Sequence, residues 1–123
     1  MNINELTHEI IGASIEVHRA LGPGLLESAY EACLCKELAL RGVPFENQKP
    51  MPVVYNGVSL DCGYRVDLLV DGRVIVELKA VEDLAPIHEA QLLTYMRLAR
   101  KRLGLLINFN SRLLVDGVTR LIL

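Results

Sequence analysis

YRVDLLVDGRVIVELK, running from Tyr64 to Lys79, holds two strand-like apolar runs, Tyr64 to Val70 and Arg73 to Leu78, on either side of the tight-turn dipeptide Asp71-Gly72. The runs should pair as an antiparallel hairpin and be largely buried. Asp67 interrupts the first run, and Glu77 and Lys79 interrupt the second. Buried charges are costly unless paired or bound to a metal ion. Glu77 and Lys79 are two apart, so on a strand they project from one face about 7 Å apart, at a rise of ~3.3 Å per residue. That separation lets one bind metal while the other reaches a substrate. The position of Asp67 depends on the turn. A two-residue loop would set it opposite Val76, on the wrong face from Glu77, whereas a three-residue loop or a bulge corrects the parity. An odd loop or a bulge near Gly72 is therefore expected.

Working outward, Leu6, Ile10, Ala13, Val17 and Ala20 recur at helical steps and predict a helix from about Asn4 to Leu21. Gly22-Pro23-Gly24 breaks it. A second helix is expected from about Leu25 to Arg41, with Leu26, Ala29, Tyr30, Cys33 and Leu38 inward and Gly42 as its stop. Gln48 to Leu60 is strand-like, with a hairpin at Asn56-Gly57 and prolines at 50 and 52 that suggest a sheet edge. Pro86 suits the first turn of a third helix running to about Arg102, followed by a buried strand from Leu103 to Phe109. Strand, helix, strand implies a right-handed crossover. Asp116-Gly117 makes a last turn, with Leu113 to Val115 and Thr119 to Ile122 read as terminal strands.

The 123 residues, 51% of them apolar, suffice for one domain spanning 1–123 with a full core. Leu103 to Ile107, the longest purely apolar stretch, is far short of the roughly 20 residues of a membrane span, and Asn2, Asn4 and Glu5 spoil a signal-peptide reading. Three cysteines, Cys33, Cys35 and Cys62, cannot all pair within the chain; they read as buried thiols in a reducing compartment, so a cytoplasmic location is expected. A formal charge of −2 lacks the basic excess of proteins that grip nucleic acid by electrostatics alone. It does not exclude an enzyme, because bound divalent cations reverse the sign of an acidic site. A mean hydropathy of +0.30 is compatible with a homodimer.

Asp67, nine intervening residues and then Glu77-Leu78-Lys79 resemble the signature of the PD-(D/E)xK nuclease superfamily. Gly24-Leu25-Leu26-Glu27-Ser28-Ala29-Tyr30 matches the motif that names the GxxExxY proteins, a branch of that superfamily. Gln91-Leu92-Leu93-Thr94-Tyr95 is similar to the QxxxY motif of RecB-type exonucleases. The resemblance runs from about Ile10 to Phe109. One departure is Val66 in place of the motif's proline, at a position that shapes the strand and carries no chemistry.

The resemblance implies an α/β fold of the restriction-endonuclease-like kind, a central mixed β-sheet flanked by α-helices. It further implies a nuclease that uses Mg²⁺ or Mn²⁺ to hydrolyse phosphodiester bonds in nucleic acid, DNA in preference to RNA. Hard Mg²⁺ prefers oxygen ligands and keeps several waters. Asp67 and Glu77 would be its ligands with the carbonyl of Leu78, and Glu27 would bind a second ion or hold a metal-bound water. Lys79 would orient the attacking water and stabilise charge in the transition state. His88, Gln91 and Tyr95 fall at i, i+3 and i+7 on one helix face, which in related nucleases borders the site; Gln91 and Tyr95 would contact substrate or position Lys79, and His88 would assist at the substrate.

Two blander readings compete. Asp67, Glu77 and Lys79 are also what an ordinary salt-bridge cluster on a half-exposed sheet looks like. The whole chain could instead be a binding or protein-interaction module that keeps the fold without turnover. Calorimetry separates the nuclease from the module: no Mg²⁺ or Mn²⁺ binding that depends on Asp67 and Glu77 would favour the module.

Overall fold

A computed structural model describes residues 1–123. Its elements in chain order are α1 (Ile3–Leu21), α2 (Glu27–Leu40), β1 (Phe45–Pro50), β2 (Val53–Tyr55), β3 (Val58–Leu60), β4 (Arg65–Val70), β5 (Val74–Lys79), α3 (Pro86–Ala99), β6 (Leu103–Asn108), a 3₁₀ turn at Leu114–Gly117 and β7 (Val118–Ile122). A five-stranded sheet has the order β1-β4-β5-β6-β7, and β2 with β3 forms a separate two-stranded ribbon. β5 and β6 run parallel with α3 between them, and every other neighbouring pair is antiparallel. This is the mixed α/β sheet flanked by helices that the sequence implied.

Period-two alternation along β5 divides the core in two. Val74, Val76 and Leu78 face α1 and α2, where they join Leu6, Ile10, Tyr30 and Leu34. Ile75 faces the other way, with Leu69 and Leu106, against Leu92 and Met96 of α3. Gly104 lets α3 lie close to the sheet: a Cβ there would sit 2.7 Å from Met96 Sδ. Glu77 and Lys79 share the parity of Ile75 and so belong to the α3 face, beyond the end of the apolar ladder.

The hairpin turn has the odd parity that the three charges require. Val70 is opposite Val74, so Asp71, Gly72 and Arg73 form a three-residue connection, and Asp67 comes opposite Glu77 one step beyond the Leu68–Val76 pair. Asp71 and Gly72 both adopt left-handed backbone, at φ 53 and 65. The edge reading holds for Pro50, the last residue of the outermost strand β1, whereas Pro52 lies between β1 and β2 in no strand. α2 stops as expected at Gly42, whose φ of 70 lets the Val43 N–H reach back to the Leu38 carbonyl at 3.0 Å.

Several expectations need correction. Leu113 to Val115 is no strand: β6 already has β5 on one side and β7 on the other, so the segment has no ladder to join and winds into the 3₁₀ turn. Leu26 is 77% exposed because it precedes the helix in extended conformation, outside the helical period. Ala20 is exposed, and the buried stripe of α1 ends on Val17 and His18, whose Nε2 lies 2.7 Å from the Ser111 carbonyl. α3 ends at Ala99, where Arg100 takes a left-handed cap conformation at φ 57. The thiols are not buried: Cys33 and Cys35 are half-exposed and Cys62 is exposed.

Candidate active site

At the open end of the β4–β5 hairpin, side chains replace the backbone ladder. The Asp67 N–H donates to Glu77 Oε1 at 3.1 Å, and the Leu78 N–H donates to Asp67 Oδ2 at 2.8 Å. Each carboxylate thus satisfies a main-chain donor on the neighbouring strand. Gln48 of β1, opposite Asp67, is itself left-handed at φ 51. Val66 packs with Met51 and the α3 cluster instead of following Leu68, so β4 twists at Asp67.

Asp67, Glu77 and Lys79 take part in none of the five ion pairs of the chain. They are not the surface salt-bridge cluster of the blander reading. Glu77 is 8% exposed, and its pKa is pushed up to about 8, first by burial and then by the Asp67 carboxylate, against the pull of Lys79. Asp67 acts on two more groups. It adds to burial in raising the pKa of Glu31 on α2, and with Glu77 it adds to burial in raising that of Tyr95 on α3. Acidic groups are therefore concentrated at the open end of the hairpin beside α2 and α3, with Lys79 as their nearby counter-charge.

The oxygen-rich donor set fits a hard divalent cation. The Lys79 carbonyl accepts from the Phe109 N–H at 2.8 Å on the β6 side. By alternation the Leu78 carbonyl points the other way, toward β4, on the same side as its N–H and into the gap where the carboxylates meet. No group of three or more His, Cys, Asp or Glu side chains converges into a protein-only cage. Mg²⁺ needs none, since one or two carboxylates with waters are its usual set.

The other expected residues are distributed as follows. Glu27 opens α2, is exposed and makes no side-chain hydrogen bond, though its charge reaches Glu31 one turn on. Tyr30 is fully buried, stacked on Phe109 with ring centroids 4.7 Å apart, and its hydroxyl donates to the Gly22 carbonyl at 2.6 Å and accepts from the Leu25 N–H at 3.1 Å. The tyrosine of the Gly24–Tyr30 motif thus clamps the loop in which Gly24 sits at φ 101. His88 Nδ1 accepts from the Ala85 N–H at 3.0 Å, which caps α3 and leaves Nε2 for any other contact. Gln91 and Tyr95 line a groove beside the carboxylates.

Three participants were missed in the sequence. Gln48 Nε2 donates to Glu31 Oε1 at 2.7 Å and to Asp67 Oδ1 at 3.3 Å, joining α2 to β4 through the edge strand. Asn108, buried at the end of β6, holds the Val81 main chain with both amide atoms, at 3.1 and 2.9 Å, and so fixes the chain just past Lys79. Asn108 carried a readable signal, a lone amide in an otherwise apolar run. Glu31 and Gln48 carried none.

The sequence model of the PD-(D/E)XK nuclease superfamily matches residues 4–121, nearly the whole chain. No curated protein and no solved structure matches it.

Proposed function

The chain belongs to the PD-(D/E)XK nuclease superfamily, and on that premise we propose that it is a Mg²⁺- or Mn²⁺-dependent nuclease acting on DNA in preference to RNA. The single observation that carries this reading is the open end of the hairpin. There Asp67 and Glu77 stand in for ladder partners, with Lys79 on the same face and outside any ion pair. Membership of the GxxExxY branch is part of the same proposal, supported by the Gly24–Tyr30 motif.

Asp67, Glu77 and the Leu78 carbonyl hold the ion, which when bound supplies Lewis-acid polarisation and lowers the pKa of water. Lys79 orients the attacking water by hydrogen bonding and offsets charge as it develops on the phosphoryl oxygens. Glu27 and Glu31, on successive turns of α2, extend the acidic wall, with Gln48 holding Glu31 against Asp67. Gln91 and Tyr95 contact substrate from α3. His88 acts chiefly by setting the start of that helix, with Nε2 available to the substrate.

The test is cleavage of labelled single- and double-stranded DNA and RNA with Mg²⁺, with Mn²⁺ and with chelator. Metal-dependent cleavage that is lost in Asp67→Asn, Glu77→Gln and Lys79→Met supports the reading. Intact substrates under every metal condition overturn it in favour of the non-catalytic module.

A further inference from the structure

Beside the carboxylates, the surface changes character. A groove of about 360 Å³ lies between α3 and the segment leading into β4, with Val53, Tyr64, Ile87, Gln91, Tyr95 and Leu98 among its lining and no charged side chain in it. The rings of Tyr64 and Tyr95 face each other at 6.3 Å with a 55° tilt, close but not stacked. Tyr64 is 48% exposed and Ile87 64% exposed, so the groove presents aromatic and aliphatic surface to solvent. Its inner end adjoins the acidic centre, for the Tyr95 phenol lies in the field of Glu77 and Asp67. Its outer end, at Leu98, continues into a second depression lined by Lys49 and Lys101.

We propose that this groove seats an unpaired nucleobase, so that the chain acts on single-stranded nucleic acid, with the base against Tyr64 and Tyr95 and the phosphates led toward Lys101. The inference rests on the nuclease reading and extends it to the class of substrate. Phosphates are a poor occupant of the groove itself, since no charged side chain lines it. A base offers two π-faces, and base stacking on aromatic side chains is sequence-tolerant. In a duplex those faces are already covered by neighbouring pairs, and only base edges remain accessible. A duplex also carries a phosphate charge every ~1.7 Å and demands cations across a broad surface. The net charge is −2, and the cations around the groove are scattered: Arg97 reaches Thr94 on its wall at 3.4 Å, and at the far end Lys101 stands with Lys49, itself paired with Glu46 at 2.6 Å. A second copy of the chain is the rival occupant, since the neighbouring β2–β3 ribbon exposes Val54, Tyr55, Val58 and Leu60.

The test measures binding of the full chain without divalent ions, so that it stands apart from cleavage. The probes are a fluorescein-labelled oligothymidylate of about 12 nucleotides, its duplex with oligoadenylate, and an abasic strand of equal length. The chain has no Trp and four Tyr, so its own emission reports on tyrosines directly. Expected results are binding of the single strand about tenfold or more tighter than the duplex or the abasic strand, with quenching of tyrosine emission. Tyr64→Leu, which keeps apolar bulk, weakens single-strand binding about tenfold while leaving the melting temperature and abasic-strand binding unchanged. Equal or tighter duplex binding overturns the proposal, as does the absence of measurable binding or an unchanged Kd in Tyr64→Leu. A dimer in sedimentation that Tyr64→Leu dissociates overturns it in favour of the second copy. If cleavage is absent but stacking binding is present, the nuclease reading fails alone. If duplex is cut and single strands are not bound, only the substrate class fails.

Discussion

The two ends of one hairpin behave in opposite ways. At the turn end, Val70 pairs with Val74 and Leu69 with Ile75, every one of these side chains is buried, and the backbone satisfies itself. Three residues from the Val70–Val74 pair the same strands carry Asp67 and Glu77, whose carboxylates accept the main-chain N–H groups that a regular ladder would have used. The turn end is built for stability and sets the register. The open end gives up ladder bonds and tolerates a buried acid, in return for two carboxylates and a lysine on one face. A strained or destabilised element inside a rigid one is a recurring signature of function.

The strongest way to break this contrast is at the open end. Asp67→Asn or Lys79→Met should lower the rate of cleavage about 10²–10³-fold or more while far-UV circular dichroism and melting remain native-like. Deleting Val74 attacks the same function from the turn, because with the three-residue connection kept Val70 then pairs with Ile75 and Asp67 comes opposite Leu78, on the wrong face. Cleavage should be lost there as fully as in the carboxylate variants, and retained activity would show that the register does not matter.

Core substitutions at the turn end should do the reverse. Ile75→Ala removes a fully buried side chain on the α3 face and should cost about 2–5 kcal/mol in urea denaturation. Activity per folded molecule should change little.

Acidity sharpens the contrast further. Folded, metal-free protein keeps a proton on Glu77 between its ordinary pKa of 4.5 and about 8, a range in which the unfolded chain has released it. This contribution to stability is complete below the unfolded value and is lost as pH rises through about 8. Unfolding free energy should therefore fall by on the order of 3 kcal/mol between pH 5 and 8. Glu77→Gln should remove that slope, and Mg²⁺ at pH 8 should restore stability to the native chain but not to the variant. A slope equal in both proteins would count against a desolvated Glu77.

The smallest effect concerns the link across the edge strand. Gln48→Ala separates Glu31 from Asp67 and, with turnover about tenfold down, should leave stability within roughly 1 kcal/mol. In calorimetry, Glu31→Ala should weaken Mg²⁺ binding more than Glu27→Ala, because Glu31 is the residue tied to Asp67.

Much of the architecture was legible because it is local. Helical stripes, the stop at Gly42, the Asn56-Gly57 hairpin and the edge position of Pro50 depend on side chains and backbone preferences within a few residues. Parity arithmetic even exposed the odd turn as a condition for the site, and the three-residue connection meets it. Errors arose where a local pattern had no way to know its surroundings. Leu113 to Val115 looks like a strand but finds both edges of β6 taken, and Leu26 fits the helical period but lies before the helix begins.

Identity and order of the charged residues, their shared face and the turn chemistry that aligns them are properties of contiguous chain, read from a period of two and from a few turn residues. Contact between Glu31, Gln48 and Asp67 is of another kind. Glu31 and Asp67 lie 17 and 19 positions from Gln48 along the chain, and the three meet only because β1 pairs antiparallel with β4 while α2 packs against β1. The same holds for Tyr64 beside Tyr95 and for Asn108 closing on Val81. Long-range pairing chooses such neighbours, and the burial it imposes turns an ordinary glutamate at position 77 into one that holds its proton to about pH 8.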